Sequence, residues 1–149
     1  MSPFRFRFQK LLDLREKQER TLEIEVARFD KAVLGKRAQL EAWQQERRAT
    51  LAQLRLARDC GDLQANACGT DYLRCLGRRA DRCRAAIADL RQERERVRQR
   101  LQAVAQSRKA LENYRDRKRT EFLALEEKAE ERVLEEHAVR GFLRAERAS

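Results

Sequence analysis

The chain has 149 residues and a formal net charge of +10; 40% of its residues are charged, and glycine and proline together number only six. The length would suit one globular domain, but so polar and turn-poor a composition argues against a compact enzyme core and matches coiled coil or long helix. Disorder competes for so polar a chain, and a sustained apolar period speaks against it.

Ser2-Pro3 opens the first predicted helix, because serine can cap orphan N–H groups and proline is tolerated in a first turn. That helix is expected over residues 3–58. Its inward seam reads Phe8, Leu12, Arg15, Glu19, Leu22, Val26, Phe29, Val33, Lys36, Leu40, Trp43, Arg47, Thr50, Leu54 and Ala57. Leu51 competes with Thr50 for the inward position. At the start of this helix Phe4, Phe8, Leu11 and Leu12 form one stripe, while Phe6, between Arg5 and Arg7, falls on the opposite side. An intramolecular pairing does not account for Phe6, so its placement hints at docking.

A connection is expected over residues 59–70, where Gly61 and Gly69 permit helix-breaking backbone and Asp59 or Thr70 can cap a neighbouring end. Cys60 and Cys68 flank it and could approach each other. The four cysteines, with Cys75 and Cys83, sit seven or eight apart with no C-x-x-C, so no metal site is expected. Cys83 reads as a small apolar core residue.

The second helix is expected over residues 71–145. From Leu73 to Leu143 a 4-3 alternation runs without a phase slip, and fifteen of its 21 seam positions are apolar. This is the pattern of a left-handed coiled coil. A short connection folds the second helix back on the first, so the expected fold is all-α: a single antiparallel two-helix coiled-coil hairpin spanning 1–149. Pairing outward from the connection puts Phe8 opposite about residue 120 and leaves residues 122–143 projecting about 30 Å as a C-terminal overhang. Phe122, Leu125, Val133, Val139, Phe142 and Leu143 lie there without an intrachain partner, which suggests another protein.

Charge is uneven along the second helix. Residues 78–119 hold fifteen basic and six acidic side chains, and residues 120–136 hold seven Glu against Lys128 and Arg132. Two surfaces for different partners are one reading; a solvated exterior laced with i,i+4 ion pairs is the other. The arginine-rich stretch would attract phosphates, but Glu93 and Glu95 interrupt it and stacking aromatics are missing. Non-specific nucleic-acid binding therefore stands behind a generic coiled-coil scaffold as an alternative function. No phosphate loop, nucleophile elbow or H-E-x-x-H is present; the chain is expected not to be an enzyme and to carry no cofactor. The longest apolar runs are four residues, at 85–88 and 122–125, so neither a signal peptide nor a membrane span is expected, and the protein should be cytoplasmic.

The opening F-R-F-R-F-Q-K-L-L-D-L-R-E-K-Q-E (residues 4–19), together with Leu111-Glu-Asn-Tyr-Arg-Asp-Arg-Lys-Arg-Thr-Glu121 and residues 130–138, resembles the flagellar export protein FliJ family over nearly the whole chain. The resemblance implies a non-enzymatic stalk or adaptor of the bacterial flagellar type III export apparatus, a monomer alone, held at the cytoplasmic face of the inner membrane through its partners. The runner-up is a generic coiled-coil scaffold or a dimer whose helices pair between chains, including a stalk of a virulence secretion system. The expected partners are the hexameric export ATPase, the cytoplasmic domain of the export gate protein, and export chaperones. The end bearing both termini would face the ATPase, through Phe4, Phe6, Arg7, Leu14 and Phe142. By position, the gate-facing group would be Gln39, Trp43, Tyr72 and Leu76, near Glu46, Arg79 and Cys83. The heptad register also puts Trp43, Leu76 and Cys83 on the seam, where core packing competes with contact.

Overall fold

In a computed structural model that describes residues 3–147, the chain forms α1 (Gln9–Asp59) and α2 (Leu63–Arg147), with no strand among the described residues. The two helices pack against each other as an all-α hairpin. Their contacts group into two units: Glu19–Ala103, which contains the turn, and Met1–Gln18 with Val104–Ser149.

The turn is much shorter than residues 59–70. Only Cys60, Gly61 and Asp62 lie outside helix. Gly61 takes φ +74°, a region that L side chains rarely adopt. Asp62 N–H donates to the Ala57 carbonyl at 2.9 Å and Gly61 N–H to the Arg58 carbonyl at 3.1 Å. Those two bonds are the paired closure of a Schellman motif. The α2 cap is Asp62, neither Asp59 nor Thr70: its Oδ1 accepts from Ala65 N–H at 2.9 Å. Thr70 instead returns its hydroxyl to the Asn66 carbonyl at 2.8 Å, inside the helix. Gly69 is likewise helical, and its missing side chain serves packing. A Cβ there would sit 2.5 Å from Leu54 Cδ2, so the glycine lets the buried Leu54 press against the α2 backbone.

The Glu19–Ala103 unit buries the seam that the heptads describe. Val33, Cys83 and Ile87 form its central cluster, with Leu40, Trp43 and Leu90 packed around them. Leu76 and Val97 are each 1% exposed. The Cys83 thiol donates to the Lys36 carbonyl across the pair at 3.2 Å, which satisfies its weak donor without leaving the core. Thr50 takes the inward position at 9% exposed, while Leu51 is 39% exposed. The small residue can be buried because its hydroxyl bonds to the Glu46 carbonyl at 2.9 Å. Arg47, predicted on the seam, turns outward, as the desolvation cost of a guanidinium demands. Arg94 keeps its seam position half-buried by setting Nε 2.8 Å from Asp30 Oδ1 of α1. That contact is ionic, without the alignment of a good hydrogen bond.

In the other unit the first helical residue is Gln9, not Pro3, and residues 3–8 form a non-helical strap. The proposed Ser2 cap lies outside the described residues. Leu12 is 0% exposed and anchors this unit. On α2 the seam stays buried or half-buried through Arg115; Lys118 is exposed, Phe122 half-buried, and from residue 127 onward every described side chain is exposed.

Candidate partner-docking surfaces

Two surfaces can be built from the residues upward. The first lies at the strap, where the sequence alternates Phe and Arg. In extended chain, side chains two apart share a face, so Phe4 and Phe6 turn inward and half-buried while Arg5 and Arg7 face solvent. The Phe4 ring packs on Phe122 with centroids 5.6 Å apart. Phe6 meets Tyr114 at 6.1 Å and the edge of Phe8 at 5.9 Å, and Phe8 reaches Tyr114 at 6.2 Å. These separations fall in the favourable range for tilted and edge-on aromatic pairs. The expectation that Phe6 has no place in an intramolecular pairing is thereby corrected: it assumed a helix, and the strap is not one. Phe8 also lies opposite Tyr114 rather than residue 120, because the tight turn leaves fewer residues unpaired.

Charge frames the aromatic cluster. Arg7 Cζ stands 5.7 Å from the Phe8 centroid, and Lys118 Nζ is 5.8 Å from that of Tyr114. Lys118 also pairs with Glu121 at 2.6 Å. The hydrogen bond to Glu121, with its charge, holds the ammonium pKa above the ordinary 10.5. Between strap and α2 is a shallow concavity of about 480 Å³, lined by Phe4, Phe6, Phe8, Tyr114, Phe122 and Leu125. Leu14, on α1, is exposed.

Beyond Phe122, on which the Phe4 ring packs, α2 continues through Arg147 for roughly 37 Å at 1.5 Å per residue. Leu125, Val133, Val139 and Leu143 are exposed along it, and Phe142 is 66% exposed. The overhang thus starts after Phe122, not at it.

The second surface lies in the Glu19–Ala103 unit. Gln39, Trp43 and Glu46 share a face of α1 at i, i+4 and i+7. The Tyr72 hydroxyl on α2 donates to Glu46 Oε1, and this bond raises the Tyr72 pKa above its ordinary 10.0, with nearby Arg79 opposing. Gln39, Glu46, Tyr72 and Arg79 are exposed, and Trp43 is half-buried with one side on the central cluster. Leu76 does not belong to this surface. Its side chain is shut between the helices, so its seam role excludes contact with a partner.

The exposed arginine run is laced with local ion pairs. Arg74–Asp71, Arg84–Asp81 and Arg96–Glu93 lie at i,i+3 within 2.6–3.0 Å, and Arg108–Glu112 at i,i+4. Each adds little stability, but together they spread neutralised charge around the helix. Among the described residues, no three His, Cys, Asp or Glu side chains converge as a metal site would need, and no helix is long and apolar enough to cross a membrane.

Sequence reasoning missed Tyr114 and Phe122 as the strap's docking groove. The signal was available, since strict Phe/Arg alternation is the period of extended chain, not of helix.

A family model described as flagellar FliJ protein matches residues 4–147, from the strap to the end of the overhang. The chain belongs to the FliJ family. No curated protein and no solved structure matches it. Membership associates this FliJ-family chain with flagellar protein export in a non-enzymatic role.

Proposed function

We propose that this chain is an adaptor that inserts its two-termini end into the hexameric flagellar export ATPase. Its second surface then contacts the cytoplasmic domain of the export gate protein, at the cytoplasmic face of the inner membrane. The single observation that carries this reading is the overhang: a family member with exposed Leu125, Val139, Phe142 and Leu143 on an uncovered helix offers apolar surface that a partner would bury.

In this reading, Phe4 and Phe6 fix the strap so that Arg7 stands outward, exposed Leu14 adds apolar surface on α1, and Phe142 supplies an aromatic anchor further along. Gln39, Trp43 and Tyr72 serve the gate protein, and export chaperones are further partners. ATP hydrolysis belongs to the ring.

The test is co-purification with the export ATPase and measurement of its hydrolysis rate. The full chain should stimulate hydrolysis, and a chain ending at Phe122 should not. Absence of stimulation combined with salt-sensitive retention on DNA would replace this reading with nucleic-acid binding.

A further inference from the structure

The overhang carries a second pattern, independent of any ring. Continuing the seam beyond Phe122 gives Leu125, at the edge of the strap concavity, then Ala129, Arg132, Glu136, Val139 and Leu143, all exposed. Two charged residues of opposite sign stand at its centre, flanked symmetrically by apolar ones.

We propose that two copies of this chain associate through their overhangs, antiparallel, about a two-fold axis at the level of Leu134, midway between Arg132 and Glu136. In that register Leu125 faces Leu143 of the other copy, Ala129 faces Val139, and Arg132 faces Glu136, each pair occurring twice by symmetry. A two-fold interface requires such reciprocity, and the two central ion pairs select the partner as charged seam positions do in coiled coils. On one flank Glu126 comes opposite Arg140 of the second copy, and Val133 meets its own equivalent at the axis. The other flank sets Glu135 against its equivalent, a repulsion that weakens the pairing without changing its register.

Competing arrangements fail on the same residues. Shifting the register by one heptad step in either direction puts Leu125 opposite Glu136, or Leu143 opposite Arg132. Parallel pairing sets Arg132 on Arg132 and Glu136 on Glu136. Each places charge against hydrocarbon or against like charge at the seam.

Little stands in the way of the exchange. The intrachain contact of Arg140 with Glu136 is 3.5 Å long and two-thirds exposed at both ends, so releasing it costs little. Leu123 and Leu134 lie off the seam and stay uncovered. The contact spans six layers of one helix pair and falls below the roughly 1,200 Å² of stable standard-size interfaces. The chain is therefore monomeric when dilute and paired when concentrated. Because the pairing covers the overhang, free copies hide it from one another and an ATPase would have to compete for it.

Sedimentation equilibrium of the full chain, between about 1 µM and about 1 mM where contacts of this size dissociate, tests the proposal without any ATPase. The average mass should climb from 17.6 kDa toward twice that value. Arg132→Glu and Glu136→Arg should each weaken association about tenfold or more, and the double exchange should restore it, since it rebuilds both ion pairs with reversed sign. Helicity should change little, because both side chains are exposed and the intrachain contact of Glu136 with Arg140 is long and solvated. A mass of 17.6 kDa throughout, association indifferent to the single exchanges, or a double variant no better than the singles would each overturn it.

Discussion

Replacing Gly69 by Ala should behave opposite to replacing Gly77 by Ala, although both lie inside α2. Alanine gains about 0.8–1.0 kcal/mol over glycine in a helix interior. At Gly77 nothing approaches within 4 Å of the added Cβ, so the whole gain is expected. At Gly69 the Cβ would lie 2.5 Å from Leu54 Cδ2 and 2.9 Å from its Cγ. Leu54 is buried, so it must leave its rotamer or push the helices apart, which costs about 1–3 kcal/mol. The net for Gly69→Ala runs from no change to a loss of about 2 kcal/mol. For a chain of this length about 1 kcal/mol moves the melting temperature by about 2–4 °C. Gly77→Ala should thus melt about 2–4 °C above the parent and Gly69→Ala at or below it, as followed by circular dichroism. A second comparison isolates the cause. In a Leu54→Ala background the clash is gone, and Gly69→Ala should recover the full propensity gain, a coupling expected only between residues in contact. If Gly69→Ala stabilises the parent as much as Gly77→Ala does, the close approach at the turn is not a packing constraint and the reasoning fails.

Asp62→Ala removes the acceptor for Ala65 N–H and should destabilise the chain by about 0.5–2 kcal/mol in urea unfolding, while Asp62→Asn should cost much less. Phe6→Ala should leave the helical signal intact, because residue 6 precedes α1, yet lower ATPase stimulation by releasing the strap from Tyr114; a large loss of helicity would show that the strap nucleates the helix. The Tyr72 hydroxyl is favoured in its neutral form by Glu46, so its contribution is complete below pH 10.0 and lost only as pH climbs through the raised folded value. With Tyr114→Phe leaving Tyr72 as the lone tyrosine, absorbance titration should find it ionising later in folded than in unfolded protein. Glu46→Gln should abolish most of that difference, and equal titration in both states would refute the bond.

Much of the helix pair was readable in advance because its signals are local and repeat. A seam residue every three or four positions builds one helix face, so the second-helix register emerged from Leu73 to Arg115 without any knowledge of the partner. Misreadings clustered where one residue serves two physical roles. Gly69 reads as a helix breaker, yet a helix tolerates a glycine at modest cost when the gap admits Leu54. Leu76 was placed on a partner surface by resemblance and on the seam by period, and burial decided for the seam.

The sequence by itself determined the all-α pairing, the inward register and the existence of a helix that outlasts its partner, because hydrophobic period and chain length are written residue by residue. Only the tertiary structure decided where α1 begins, that Phe4 and Phe6 dock on Phe122 and Tyr114, and that Tyr72 reaches Glu46. Each of those joins residues at least 26 positions apart, or depends on a strap whose conformation is set by the groove it fills. Contacts of that kind are chosen by which surfaces the turn brings together, and a three-residue turn instead of twelve changes that choice.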